Sequence, residues 1–239
     1  MTTASAGPEL LLALDVPGAD AAMSMVDRFA GRCRFYKVGL ELFTAAGPAF
    51  VGALRARGVE VFLDLKLHDI PNTVRAAARR AAAMDVRLLT VHASGGEAML
   101  AAAVDGAGEG CGVLGVTVLT SLSPAELAES WGRGPWIDVQ SEVVRLAGLV
   151  AGAGAHGVVC SGQELSAVVG RYGRHLAALV PGVRPAGAAA NDQARVITPE
   201  AAAAAGARYL ILGRAVTEAP DPLAAWDAIA VSLGGKRLA

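Results

Sequence analysis

Val61-Phe62-Leu63-Asp64-Leu65-Lys66-Leu67-His68-Asp69-Ile70-Pro71-Asn72-Thr73 reads as a β-strand that runs into a helix. Val61, Leu63, Leu65 and Leu67 alternate with Phe62, Asp64, Lys66 and His68. A period of two sends neighbouring side chains to opposite faces. The aliphatic face is expected to pack under helices, and Asp64 and Lys66 share the other face, one above the other. Asp69 falls out of phase with that pair, and Pro71 opens a helix at a position that needs no N–H. A carboxylate, an ammonium and a second carboxylate thus crowd one strand end among leucines. An isolated Asp-x-Lys is often a structural ion pair. Here the choice of cation argues for chemistry: of 21 basic residues, only Lys37, Lys66 and Lys236 are lysines. Lysine can release a proton when its surroundings demand it, whereas a guanidinium effectively cannot.

Outward from this stretch the chain repeats one pattern. Short apolar runs at 10–14, 35–39, 61–67, 86–92, 112–119, 157–160, 176–180 and 209–212 read as strands. Helical stretches at 19–30, 41–57, 71–84, from 97, 141–151, 163–169, 198–205 and 223–230 alternate with them, and 123–138 reads as an insertion holding Trp131 and Trp136. Strands written as continuous apolar runs indicate a parallel sheet covered on both faces. Eight such units over residues 1–239, with no break in composition, predict a single (β/α)8 TIM barrel domain. An open doubly wound sheet is the alternative, but no G-x-G-x-x-G follows the first strand. In a barrel the chemistry gathers at the C-terminal strand ends, where the sequence puts Asp15, Lys37, Asp64, Lys66, Thr120, Arg184 and Arg214.

Composition narrows the function. A net charge of -1 argues against a general nucleic-acid or anionic-membrane binder. Cys33, Cys111 and Cys160 are scattered and form no Cys-x-x-Cys, as expected of reduced thiols in a cytoplasmic protein. The first eight residues lack the basic and apolar regions of a secretion signal, and the uncharged stretch 146–163 is interrupted by glycines rather than spanning a membrane. Pro181-Gly182-Val183-Arg184 and Gly213-Arg214 follow the seventh and eighth strands, where barrels often bind phosphate. Glycine admits backbone N–H groups to an oxyanion, and arginine supplies a planar fork of donors. Residues 185–196 lack periodicity and read as a mobile lid whose Gln193 could offer an amide. His68 reads as structural, because no second histidine or third carboxylate is spaced as a metal ligand nearby. His92 reads as a satisfied polar group at a strand end, and Cys160 as packing.

Residues 63–74, Leu-Asp-Leu-Lys-Leu-His-Asp-Ile-Pro-Asn-Thr-Val, closely resemble the signature of the orotidine 5′-phosphate decarboxylases, in particular the bacterial branch. The likeness extends along almost the whole chain, through Ala13-Leu14-Asp15, 37–43, Val91-His92-Ala93, 116–121, 181–185, Asn191-Asp192-Gln193 and 213–217. It implies a cofactor-free, metal-free cytoplasmic homodimer that converts orotidine 5′-monophosphate to UMP and CO2, the last step of UMP biosynthesis. It also implies roles. Lys66 donates the proton to C6, with Asp64 and Lys37 in the charged network beside it. Asp69, Ile70 and Thr73 enter the site from the partner subunit. Asp15 and Lys37 hold ribose hydroxyls, Thr120 lies near the pyrimidine, and Arg184, Gln193, Gly213 and Arg214 serve the phosphate or its closing loop.

Two rival readings remain at the level of sequence. Sugar-phosphate decarboxylases and aldolases of the same barrel superfamily use a divalent metal and carry Glu where this chain has Lys37. A non-catalytic phosphate sensor would have no need of Lys66 between two carboxylates.

Overall fold

The structure, a computed structural model, describes residues 7–134, 137–185 and 197–234. Apolar runs bounded by glycine, proline or acidic residues form its strands, and the stretches between them form its helices. β1 (Glu9–Ala13) leads to α1 (Ala19–Arg28), β2 (Phe35–Gly39) to α2 (Leu40–Ala56), and β3 (Glu60–Leu67) to α3 (Pro71–Ala82). β4 (Leu88–His92) passes through a 3-10 turn at Ala93–Gly95 into α4 (Glu97–Ala107). β5 (Gly112–Val116) precedes α5 (Pro124–Ser130) and α6 (Val139–Gly152), and β6 (Gly157–Val159) precedes α7 (Leu165–Tyr172). β7 (Ala177–Val180) leads to α8 (Pro199–Ala204), and β8 (Tyr209–Leu212) to α9 (Arg214–Thr217) and α10 (Pro222–Ser232). Every strand pairs in parallel with the next, and β8 closes on β1 through Glu9–Tyr209 to Leu12–Leu212. The ring is the predicted eight-stranded barrel rather than an open sheet.

Two apolar layers hold it. Leu11, Phe35, Phe62, Leu88, Leu114, Leu179, Tyr209 and Ile211 fill the barrel interior. Val61 and Leu63, with Leu65 and Leu67 packed on them, belong to the larger layer between sheet and helices. The alternation in β3 therefore separates the two layers as read, with Phe62 inside and the odd-numbered residues outside. At the N-terminal mouth, Arg87 bridges Glu9 and Glu60 at 2.6 and 2.5 Å and lies 4.9 Å over the Phe35 ring. That ion cluster lids the apolar interior at the end away from the polar strand tips.

Helix starts follow their local chemistry. Pro71 takes the first turn of α3, and Thr198 caps α8 by accepting the Ala201 N–H at 3.2 Å. The 123–138 segment is not an irregular insertion throughout. Ser123 and Glu126 form a reciprocal capping box that starts α5, and Asp138 caps α6. Trp136 lies outside the described residues. α2 is interrupted where Gly47 adopts φ 64° before Pro48, so the single helix read from the sequence is two segments at an angle. β5 stops at Val116 rather than running to residue 119, and the short α9 has no counterpart in the sequence reading.

α3 and α4 lie close together because their contact is built from small residues. A Cβ added at Gly106 of α4 would stand 2.2 Å from the Arg75 carbonyl oxygen of α3. Alanine is the better helix former by about 1 kcal/mol, but forcing packed backbones apart costs roughly 1–3 kcal/mol. Gly106→Ala is expected to lower the melting temperature by a few degrees in scanning calorimetry. An unchanged or raised Tm would show that the two helices separate without penalty.

Candidate active site

The C-terminal strand ends surround a cleft of about 250 Å³. Asp15, Lys37, Asp64 and Lys66 line one side, Arg184, Gly213 and Arg214 the other, with Thr120 on the rim and Phe62, Leu179 and Ile211 as an apolar floor. A larger hollow of about 890 Å³ lies beside Arg87, His156 and Arg208 at the opposite end. Several of its polar groups are already engaged: Arg87 and Arg208 both bind Glu9, and His156 Nε2 stands 3.0 Å from the Tyr209 hydroxyl. The smaller cleft therefore has the better claim to chemistry, at the end where barrels place it.

The charges in the cleft alternate. Lys37 Nζ donates to Asp15 Oδ1 at 2.7 Å and lies 3.9 Å from Asp64 Oδ2, and Lys66 Nζ donates to Asp64 Oδ1 at 2.8 Å. Adjacent strands bring them together: Ala13 of β1 pairs with Lys37, and Gly39 of β2 with Asp64. Gly39 leaves room for the ammonium. A Cβ there would lie 2.9 Å from Lys37 Nζ. Asp15 is the exposed end of the series, and the side chains of Lys37 and Asp64 are only 10% and 14% exposed.

Lys66 departs from a regular strand. Its φ is 51°, a left-handed conformation that costs an L-residue about 1–2 kcal/mol. Pairing with β4 slips at the same place: Leu63 pairs with Leu89, but Leu67 pairs with Val91. Asp64, Leu65 and Lys66 thus bulge out of the ladder. The period-two reading brought Asp64 and Lys66 to one site, but the contact is made through this bulge and not by strict alternation. Thr90 of β4 faces it. Its hydroxyl accepts the Lys66 N–H at 2.9 Å and donates to Asp64 Oδ1 at 2.9 Å, and the residue is fully buried. The sequence reading did not single out Thr90. The available signal was one hydroxyl within the apolar run Leu88-Leu89-Thr90-Val91.

Across the cleft, Arg184 is buried to 6% exposure and its backbone N–H bonds Ile197 O at 3.0 Å. Its Nη1 reaches only the neighbouring Val183 carbonyl, at 3.2 Å, and its Nε has no hydrogen-bond partner among the described residues. Burial, and then the nearby Arg214, pull its pKa below the guanidinium norm. A buried cation with an unused donor beside a second cation is costly unless an anion joins them.

Three residues expected to serve a partner's cleft lie outside this one. Asp69, Ile70 and Thr73 are exposed on the turn into α3, with Ile70 at 67%, and Asp69 Oδ1 accepts the Ile70 N–H at 2.6 Å. Gln193 lies outside the described residues, as does most of the expected lid, 186–196. His68 and His92 form a ring pair with centroids 5.5 Å apart. Burial, then His68 and Lys66, lower the pKa of His92, which favours its neutral form.

The family model described as "Orotidine 5'-phosphate decarboxylase / HUMPS family" matches residues 8–229. A protein of Anaeromyxobacter sp. (strain K) named orotidine 5'-phosphate decarboxylase is 55% identical over 221 residues, covering 92% of this chain and 96% of its own. One of Halorhodospira halophila with the same name is 49% identical over 229 residues, covering 95% and 96%. Among solved structures, the orotidine 5'-phosphate decarboxylase of Lactobacillus acidophilus superposes with a TM-score of 0.83 at 34% identity, covering 96% of this chain and all of that one. A match along nearly the whole barrel, together with relatives at about half identity, means that this chain belongs to the orotidine 5′-phosphate decarboxylase / HUMPS family.

Proposed function

We infer that this protein decarboxylates orotidine 5′-monophosphate to UMP and CO2, in the last step of de novo UMP synthesis. The observation that carries the reading is the Lys66 ammonium, held in the cleft by Asp64 at 2.8 Å, opposite a buried arginine with an unused donor. The family description carries two names, and the relatives at about half identity carry the decarboxylase name. Lys37, where metal-dependent sugar-phosphate relatives carry Glu, supports the same choice.

The substrate would lie with its phosphate on Arg184, Arg214 and the Gly213 backbone, and with its ring toward Lys66. Asp15 and Lys37 would take the ribose hydroxyls, and Thr120 the pyrimidine edge. Cleavage of the C6–carboxylate bond leaves its electron pair on C6 and releases CO2. Lys66 stabilises that charge as it develops, then gives C6 one N–H proton and recovers it from solvent. At ~4 Å and an effective dielectric near 20, one such charge pair is worth roughly 4 kcal/mol, a substantial part of a decarboxylation barrier but not the whole. Binding energy at the distant phosphate supplies positioning, and Gln193 would join it there. No cofactor or metal takes part in this scheme.

The protein would work as a homodimer in the cytoplasm. Asp69, Ile70 and Thr73 sit exposed at the mouth of the barrel, where they could complete a partner's cleft. The three cysteines are buried free thiols, and no helix among the described residues is long and apolar enough to cross a membrane.

Loss of orotidylate absorbance with the purified, EDTA-treated protein tests the activity. Turnover is expected to persist after chelation in the parent and to vanish in a folded Lys66→Ala variant. Parent-like turnover in the variant would remove the proton-donor role, and a loss on chelation that Mg²⁺ restores would favour the sugar-phosphate reading.

Arg214→Ala is expected to raise KM for orotidylate and weaken UMP binding by about tenfold or more, since a charge-assisted donor pair is lost. Orotidine, which lacks the phosphate, should be turned over much as by the parent. Equal losses on both substrates would move the phosphate site elsewhere.

Subunit mixing tests the shared site. Lys66→Ala and Asp69→Ala chains are each expected to be inactive. In their heterodimer, the cleft with intact Lys66 receives an intact Asp69 from the other chain, so random pairing restores roughly a quarter of all sites. Activity that stays at the level of the separate variants, despite verified exchange, would place Asp69 in its own chain's cleft.

A further inference from the structure

We propose that Thr90 is the positioning residue that sets the working geometry of the Asp64–Lys66 pair, through both hydrogen-bonding roles of its single hydroxyl. The inference rests on the reading of Lys66 as proton donor and concerns what aims it.

Thr90 lies on β4 between Leu89 and Val91, the residues whose pairing partners on β3 are Leu63 and Leu67. It therefore stands opposite the bulge that carries Asp64 and Lys66. Where the ladder is interrupted, the Lys66 N–H is satisfied by the Thr90 Oγ1 at 2.9 Å, which ties down a residue with φ 51°. The same oxygen donates its proton to Asp64 Oδ1 at 2.9 Å, the atom that also receives Lys66 Nζ at 2.8 Å. The hydroxyl thus fixes Lys66 at its backbone and Asp64 at its carboxylate, from a site that is 0% exposed. Asp64 Oδ2 is left toward Lys37 at 3.9 Å, which extends the control to the rest of the network. A threonine serving only as a β-branched filler would need neither bond. Valine has the same shape and can make neither, whereas serine can make both.

The test compares the parent with Thr90→Val, Thr90→Ser and, in parallel, Lys66→Ala, by steady-state kinetics, calorimetry and crystal structures. Loss of bonds to a charged pair should lower kcat about 10- to 100-fold in Thr90→Val, with KM for orotidylate within about twofold. Thr90→Ser should recover kcat to within a few-fold of the parent. In the Thr90→Val crystal, Lys66 should leave the left-handed region or its Nζ should draw away from Asp64. A parent-like kcat with Lys66 unmoved overturns the proposal, and so does a serine variant as impaired as the valine one, which would assign the effect to the methyl group. Should valine prevent folding, Thr90→Ala removes the hydroxyl without setting a methyl against the carboxylate, and a parent-like kcat there overturns it equally. Turnover retained by Lys66→Ala sinks the proton-donor reading instead, and the crystal structures still decide whether the hydroxyl sets the pair.

Discussion

Asp15, Lys37, Asp64 and Lys66 meet over an apolar barrel interior as a series of alternating charge. Taking an ion out of water costs several kcal/mol, and each inner member of the series offsets that cost through the next. Removing one leaves an uncompensated charge rather than a gap. The elements around the series serve this condition. Parallel pairing of β1, β2 and β3 sets the spacing, Gly39 leaves room for the Lys37 ammonium, and Phe62 and Ile211 keep the floor dry.

The other half of the cleft is built the opposite way. Arg184 and Arg214 are like charges, and Arg184 is buried with its Nε unpartnered among the described residues. One half alternates in charge, and in the other Arg214 and Glu218 act on Arg184 in opposite senses. In the proposed binding mode, a ligand with a phosphate at one end would be drawn in by the cationic half, and its other end would meet an ammonium oriented by a carboxylate. On the proposed reading, phosphate binding would fall to the ends of β7 and β8 and proton transfer to those of β2 and β3, so one could be perturbed without dismantling the other.

The bulge at Lys66 is where the fold gives up regularity for geometry. A left-handed lysine in a strand is unfavourable by itself, and it persists because surrounding groups over-determine it. Asp64 holds its ammonium and Thr90 its N–H. His92, disfavoured as a cation by burial and then by His68 and Lys66, adds little charge to the same edge.

Much of this was written in the primary structure. Eight apolar runs alternating with helical stretches indicated a parallel sheet covered on both faces, and the lack of a G-x-G-x-x-G after the first run favoured the closed barrel over an open doubly wound sheet. Asp15, Lys37, Asp64, Lys66, Arg184 and Arg214 sit at strand ends, and the closed ring then gathered them in one cleft. What the linear pattern could not carry are the relations set by pairing across strands. The slip between β3 and β4, the left-handed Lys66 and the reach of Thr90 to both members of the pair depend on register, which periodicity within one strand does not encode. The bond from the Arg184 N–H to Ile197 O is likewise a relation that local pattern does not encode. The sequence by itself determined which charges stand at which strand end, through local pattern and chain order. Only the tertiary structure decided how they touch, because contact depends on register and burial, which arise when separate strands meet.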